Sequence, residues 1–253
     1  MINSISKSTT LKAIHTTMTA ATNEFRVMSS GAFAVAYLAL IPQLQRMTAK
    51  TIVTASTALG TGENAIPNRL QRGEIVDIVI AADALLRQLM AESLVLAEGY
   101  APVARSAIGM AVRAGASRLD ISSVDALRNT LLQAKSIGYS PSVSGQYLTT
   151  ELIQRLGIAD QVLSKCRVVN GGVGHAVARG ELEIAVQQMS ELLPVPGLAY
   201  ITPLPPAVQI VSVFSAAVAA SCPDAALARA MIKFLASAEA GHVITQSGLE
   251  PIN

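Results

Sequence analysis

The chain has 253 residues, of which 51% are hydrophobic, 14% are charged and 4% are aromatic. This length can build one large or two modest hydrophobic cores, and the apolar content excludes wholesale disorder. The net charge of +2, spread over scattered basic residues, argues against nucleic acid and anionic membrane surfaces as partners. Because aromatic residues are few, the core must consist mainly of Ala, Val, Ile and Leu, which is typical of helices packed on a buried sheet.

The first residues do not have the pattern of a secretory signal. Lys7 and Lys12 are present, but Ser, Thr and His interrupt the segment before any apolar run can form. A signal needs a basic start followed by an apolar run of roughly 7–15 residues. We therefore predict a flexible extension over residues 1–24 and a cytoplasmic location, or a periplasmic one if translation begins elsewhere. The other apolar runs are too short or too polar to span a bilayer, so no membrane insertion is predicted.

Short apolar runs alternate with longer segments of helical periodicity along the chain. Strands are predicted over residues 25–28, 51–55, 75–81, 108–113, 136–139, 167–169, 183–187 and 208–219, the last of which is one long strand or two strands. Helices are predicted over residues 32–48, 65–71, 84–90, 124–134, 147–156, 174–179 and 223–247. Asp83, and Ser122 with Ser123, are expected to cap two of these helices, and the Pro-rich residues 193–206 contain the strongest linker signal. Such alternation predicts βαβ units and an α/β fold with mostly parallel sheets and flanking helices.

Three loops rich in Ser, Thr and Gly follow predicted strands and precede helices. Their candidate ligand contacts are Ser29, Ser30 and Gly31 in the first loop, Thr57 and Gly60 in the second, and Ser140, Ser142, Ser144, Gly145, Gln146 and Tyr147 in the third. In open α/β sheets, ligands lie beyond the carboxyl ends of the strands. A helix N-terminus offers backbone N–H groups to an anion there. Single hydroxyls before helices are ordinary caps, but loops with two or three each favour a ligand site.

Further polar candidates lie outside these loops. The guanidinium of Arg105, which precedes Ser106, can hold a carboxylate through two hydrogen bonds, although a surface arginine or one in a structural ion pair is the alternative. Gln187 and Gln188 end an apolar strand and point to opposite sides of it. One amide can therefore face a cleft while the other braces a crossover strand; two solvated strand-end amides are the alternative.

No motif for a cofactor or a metal is complete. The segment Gly171-Gly172-Val173-Gly174 lacks the last glycine of the dinucleotide-binding pattern GxGxxG. The three histidines do not cluster at metal spacing. Cys166 and Cys222 have no metal-binding spacing either, and the sequence leaves open whether they pair. We therefore expect neither a cofactor nor a metal.

Four blocks carry a resemblance to a known family: residues 27–33 (Val-Met-Ser-Ser-Gly-Ala-Phe), 65–80, 136–145 and 187–194 (Gln-Gln-Met-Ser-Glu-Leu-Leu-Pro). Together they resemble the molybdate-binding-protein-like branch of periplasmic solute-binding proteins of type 2. The subgroup is similar to bacterial aconitate isomerase. The resemblance runs from about residue 27 to residue 252.

The resemblance implies two α/β lobes joined by two crossover strands, with an anion held between them. The lobes are expected over residues 25–104 with 200–253, and over residues 105–199. The expected ligand is a small di- or tricarboxylate, similar to aconitate, and an ABC transporter permease is a partner only if the chain is exported. The alternative is an isomerase of the aconitate isomerase type, which needs a general base. Glu191, His175, Glu63 and Tyr139 are the candidates for that base, and the sequence does not choose among them.

Overall fold

The computed structural model describes residues 23–55 and 62–252. Most of the predicted N-terminal extension, and Thr57 and Gly60, lie outside the described residues. The strands are β1 (Glu24–Ser29), β2 (Thr51–Ala55), β3 (Ile78–Ala82), β4 (Ala101–Arg113), β5 (Ile137–Tyr139), β6 (Cys166–Val168), β7 (Ile184–Gln188), β8 (Leu198–Pro203), β9 (Val211–Val218) and β10 (Glu250–Pro251). The helices are α1 (Gly31–Thr48), α2 (Ile66–Gln71), α3 (Asp83–Ala91), α4 (Val124–Gln133), α5 (Val143–Gln146), α6 (Ile153–Arg155), α7 (Ala159–Val162), α8 (Val173–Ala178), α9 (Met189–Leu192), α10 (Ala225–Leu235) and α11 (Ala238–Gln246).

The strands lie in the order β2-β1-β3-β9-β4-β7-β5-β6, and β8 and β10 pair with β4 beside this path. β1 pairs in parallel with β2 and β3, and β5 pairs in parallel with β6 and β7. The strands between these two groups pair antiparallel. The parallel groups correspond to the predicted βαβ units, since parallel neighbours need a helix or a similar crossover between them. The predicted α/β fold is thus confirmed.

Strand β4 runs through both halves of the molecule. Up to Ala107 it pairs with β9, and from Ile108 it pairs with β7 and β8. The two main hydrophobic clusters, called the first and the second core below, divide at the same place, because Val103 and Ala104 belong to the first whereas Ile108 and Met110 belong to the second. Two smaller clusters consist of other buried residues. The lobe boundaries at residues 104 and 199 stay a prediction, but β4 is clearly one connection between the two cores.

The second connection lies between β8 and β9. The side-chain amide of Gln209 bridges it to β4: its Oε1 accepts from Ile108 N at 3.0 Å and its Nε2 donates to Ile108 O at 2.8 Å. The amide thereby replaces strand pairing where β4 changes partners, so that the buried backbone groups of Ile108 stay satisfied.

Several local expectations need correction. The Pro-rich linker contains β8, which pairs only with β4 among the described strands; an edge position tolerates the proline at its end. The predicted C-terminal helix is two helices, because Ser237 has extended backbone and is the N-cap residue of α11. Asp83 is the first residue of α3 rather than its cap, and its carboxylate accepts instead from Ser215 Oγ at 2.8 Å. Ser123 does cap α4, accepting from Ala126 N at 3.1 Å.

Two further expectations concern helices and cysteines. No helix within residues 23–55 and 62–252 is long and apolar enough to cross a membrane. Cys166 and Cys222 are both free thiols, so they do not pair. Burial raises the pKa of Cys222 to about 12, and the neighbouring Asp77 carboxylate adds to this effect. The Cys222 thiol therefore stays protonated and is a poor nucleophile.

Candidate functional site

A cavity of about 340 Å³ lies where the carboxyl ends of β1 and β3 face the loop that follows β5. Its polar lining comes from both halves of the molecule: Ser30, Gln88, Ser142, Gln146, Gln188 and Glu191. The remaining wall is mostly small and apolar, and includes Ala81, Ala82 and Phe214. The volume is that of a site for a small organic molecule.

Helix N-termini converge on this cavity. Gly31 and Ala32 of α1, Ile66 of α2, Ala84 of α3 and Val143 of α5 all belong to first turns and all line the wall. Each start carries backbone N–H groups without an intrahelical acceptor and the positive end of a helix dipole. The arrangement therefore favours a negatively charged ligand without any lysine or arginine.

The first loop presents a hydroxyl that is not used for capping. Ser30 is the N-cap residue of α1, yet its side chain makes no capping hydrogen bond. Its Oγ is buried and has no partner among the described residues. Ser29 ends β1 and donates from its Oγ to the Ser30 carbonyl at 3.2 Å. Because a buried hydroxyl without a partner is costly, Ser30 Oγ is a natural contact for a bound ligand.

The serine loop after β5 forms a chain of hydroxyls. Ser140 Oγ lies 2.9 Å from Ser142 Oγ, which lies 3.1 Å from Ser144 Oγ. Ser140 and Ser144 are fully buried, and only Ser142 of the three lines the cavity. The outer two hydroxyls therefore orient the central one. Gly145 makes this turn possible, since a Cβ there would collide with the Ser140 carbonyl oxygen.

The next two residues of this loop differ in their positions. Gln146 is exposed and lines the cavity, whereas the buried Tyr147 does not reach it. The Tyr147 hydroxyl donates instead to the Val208 carbonyl and so ties the helical segment to the second connection. The sequence pattern gave no signal that separates these two neighbours.

Glu191 owes its position to the start of α9. It is the third residue of that helix, and its carboxyl group is hydrogen-bonded by the backbone of the N-cap residue Gln188, as in a capping box. Gln187 Nε2 also donates to Glu191 Oε1 at 2.9 Å. Burial nevertheless raises the pKa of Glu191 from its ordinary 4.5 to about 7, because the loss of water outweighs both hydrogen bonds.

The carboxyl group of Glu191 also reaches the start of α1. Its Oε1 lies 2.8 Å from the point that a Cβ of residue 31 would occupy, so that a larger residue there would displace the carboxyl group from this position. Among the described lining residues, Glu191 carries the single ionisable side chain. A titratable carboxyl group thus faces a cavity whose other polar groups are neutral.

Gln188 lies at the junction of the two cores as well as on the cavity wall. With its nitrogen towards β4, its amide donates to the Ser106 carbonyl at 3.2 Å and accepts from Ser212 Oγ at 2.8 Å. Ser106 Oγ lies 3.5 Å from Ser190 Oγ. Ser106 is therefore part of a buried polar cluster at the crossover and does not line the cavity.

The structure does not bring the other candidates to the cavity. Arg105 has a side chain that is 44% exposed, and its Nη1 lies 3.3 Å from Glu250 Oε1. His175 and Glu63 are exposed, and Tyr139 packs in the second core and against Gly145. Within residues 23–55 and 62–252, no group of three or more His, Cys, Asp or Glu could hold a metal ion.

Sequence reasoning missed the contribution of α3 to the cavity. Ala84, Leu85 and Gln88 all line it, since Gln88 lies three and four positions after the other two and residues at these spacings share a side of a helix. The signal that could have revealed them is their helical spacing directly after β3, a strand that ends in two alanines. Phe214 of β9 was also missed, and nothing in its local pattern distinguishes it from a core residue.

Two cores, two connecting segments and an anion-favouring cavity at the strand ends define a two-lobed solute-binding domain. Residues 25–250 match the bacterial extracellular solute-binding proteins, and the chain belongs to this family. It is 36% identical over 228 residues to an aconitate isomerase from Pseudomonas sp., covering 89% of this chain and 87% of that protein.

Solved structures have the same fold at low identity. The periplasmic molybdate-binding protein of Azotobacter vinelandii superposes with a TM-score of 0.71 at 16% identity, covering 89% of this chain and 98% of that one. A sulfate-binding protein from Mycobacterium tuberculosis gives a TM-score of 0.67 at 13% identity, covering 91% and 87%. The expected resemblance to the molybdate-binding branch is confirmed.

Proposed function

We propose that this chain binds a small organic acid with two or three carboxylates, similar to aconitate, and isomerises it by moving one proton. The observation that carries the proposal is the carboxyl group of Glu191 on the cavity wall, with a pKa raised to about 7. A general base is most effective when its pKa is near the working pH. The relationship to an aconitate isomerase supports the same reaction.

Binding of the acid relies on neutral donors. Ser30 Oγ and Ser142 Oγ are available from the two halves of the molecule, and the starts of α1 and α3 direct N–H groups towards the same space. Residues 56–61 (Ser-Thr-Ala-Leu-Gly-Thr) bring no side-chain charge wherever they lie. We therefore assign the carboxylates to hydroxyls, amides and helix N-termini rather than to Arg105, which takes part in an exposed ion pair.

The chemistry is an allylic proton shift. The Glu191 carboxylate takes a proton from the CH₂ group between a carboxylate and the double bond, and the released electron pair moves the double bond by one position. Glu191 then returns the proton to the other end of the three-carbon unit. In aconitate this restores the same set of bonds and changes only the cis or trans geometry. The intermediate carries its extra negative charge on the carboxylates, where helix N-termini stabilise it.

Binding without chemistry is the second candidate, and membership of the solute-binding family favours it. Closure of two lobes on a ligand needs no general base. An ABC transporter permease is a partner only for an exported copy of the chain, and the isomerase proposal requires none. The two candidates differ in one observable, which is whether the bound acid exchanges a carbon-bound proton.

The test is proton NMR of the chain with cis-aconitate or trans-aconitate in deuterated water. We expect interconversion of the two isomers and entry of solvent deuterium into the CH₂ position. Glu191→Gln should abolish both while still binding, and Glu98→Gln, which changes an exposed glutamate, should behave as wild type. Tight binding with no exchange in the wild-type chain would leave the binding-only candidate. A parallel thermal-shift screen with citrate, tricarballylate and molybdate identifies the preferred class of anion.

A further inference from the structure

We infer that Gln187 is a positioning residue for Glu191, with a side-chain amide that serves both protonation states of that carboxyl group. The inference rests on the proposed function, because it assigns a task to Gln187 in the movement of the proton. It also replaces the expectation that Gln187 contacts the ligand.

The geometry separates Gln187 from the ligand. It lies in β7 opposite Gly109 of β4, the residue is 2% exposed, and it does not line the cavity. Its Nε2 donates to Glu191 Oε1 at 2.9 Å, so that the end of β7 is joined to the first turn of α9. Gln188, its neighbour, points to the opposite face of β7 and holds the crossover instead. Within residues 23–55 and 62–252, the one hydrogen bond of the Gln187 side chain therefore goes to the proposed base.

The other end of the amide has no partner. Gln187 Oε1 is buried and accepts no hydrogen bond from any described residue. The NH₂ group and the oxygen of an amide have nearly the same size and shape. Rotation of the terminal torsion by half a turn therefore places the oxygen where the nitrogen was. The oxygen would then accept the O–H of a protonated Glu191.

A base that takes up a proton and returns it needs a neighbour that can form a hydrogen bond with both of its protonation states. The nearly symmetric amide of Gln187 can do this. In the ionised state the amide nitrogen donates to the carboxylate, and in the protonated state the amide oxygen accepts from the carboxylic acid. Either orientation leaves the far end of the amide without a protein partner, so that neither state is locked by an additional bond. A lysine or arginine at this position would hold the carboxylate permanently ionised, and an apolar residue would favour the neutral acid.

The experiment compares wild type, Gln187→Met and Gln154→Met. Methionine has similar length but no strong donor, and Gln154 is an exposed glutamine of α6 that serves as the matched control. Initial rates of aconitate isomerisation are measured from pH 5 to pH 9. We expect the midpoint of the kcat profile to rise by about one pH unit in Gln187→Met, with KM within about twofold of wild type. Both protonation states lose a hydrogen bond in this variant, but the bond to the charged carboxylate is the stronger of the two, so its loss favours the protonated state. The Gln154→Met profile should be unchanged.

Two results would overturn the inference. An unchanged midpoint with lower kcat at every pH would indicate a merely structural role, and a raised KM with an unchanged profile would indicate a ligand contact. The ¹³C resonance of the Glu191 carboxyl, identified by its loss in Glu191→Gln, gives an independent readout. If wild type shows no isomerisation, the proposed function fails, and this titration alone decides: a midpoint raised in Gln187→Met supports the inference, and an equal midpoint overturns it.

Discussion

The burial of Glu191 should make the stability of the ligand-free chain depend on pH. Its pKa in the folded chain is about 7, against 4.5 for an ordinary glutamate. Between these two values the unfolded chain releases a proton that the folded chain retains, so stability falls as the pH rises. Below about pH 4.5 both states are protonated, and above about pH 7 the full cost of burying the charge is present.

The magnitude follows from the two pKa values. At about 1.4 kcal/mol per pH unit, the whole effect amounts to about 3 kcal/mol. Glu191→Gln keeps the shape and the hydrogen bond to the N-cap backbone but cannot ionise. Between pH 5 and pH 8, the free energy of unfolding of Glu191→Gln relative to wild type should therefore rise by about 2 to 3 kcal/mol.

Urea denaturation at several pH values measures this difference. Glu98→Gln, at an exposed position, is the control and should follow the wild-type curve at every pH. Parallel curves for wild type and Glu191→Gln would refute the reasoning, because a carboxyl group in contact with water titrates alike in both states. A wild-type chain that gains stability with rising pH, relative to Glu191→Gln, would refute it more strongly.

Three further predictions concern the cavity and its scaffold. Ser142→Ala should weaken the binding of trans-aconitate by about tenfold in calorimetry, the worth of one hydrogen bond to a charged group, whereas Ser122→Ala on the surface should not. Gly145→Ala should lower the free energy of unfolding by about 2 kcal/mol or more because its Cβ meets a backbone carbonyl, whereas Gly62→Ala, whose Cβ meets nothing within 4 Å, should change it little. Arg105→Ala should change ligand affinity by less than about twofold, because Arg105 does not line the cavity and its guanidinium takes part in an exposed ion pair; a tenfold loss would restore Arg105 to the binding site.

The parts of the site that follow from local sequence could be predicted. A strand that ends in Ser29 and a helix that begins at Gly31 place a serine at the helix start whatever the rest of the chain does. The same is true of Ser142 before α5. Such positions depend on the order of strand, loop and helix, which the alternation of apolar runs gives directly.

The parts that depend on distant pairing could not be predicted. Glu191 was one of four candidate bases, and the burial that raises its pKa comes in part from the start of α1, which is distant in sequence. Arg105 lies on the exposed side of a strand whose partners β9 and β10 come from the far end of the chain. The strand β8 was hidden in a Pro-rich segment, because an edge strand needs few backbone donors.

The position of Glu191 in a capping box has a consequence for how such a domain can acquire chemistry. A glutamate at the third position of a helix is an ordinary feature of helix starts, selected by the geometry of three or four residues. Where that helix start borders a cavity that already holds an organic acid, closing off water is enough to turn a capping residue into a proton acceptor. The step from carrier to catalyst then requires no new functional group, only a change in how deeply an existing one is enclosed.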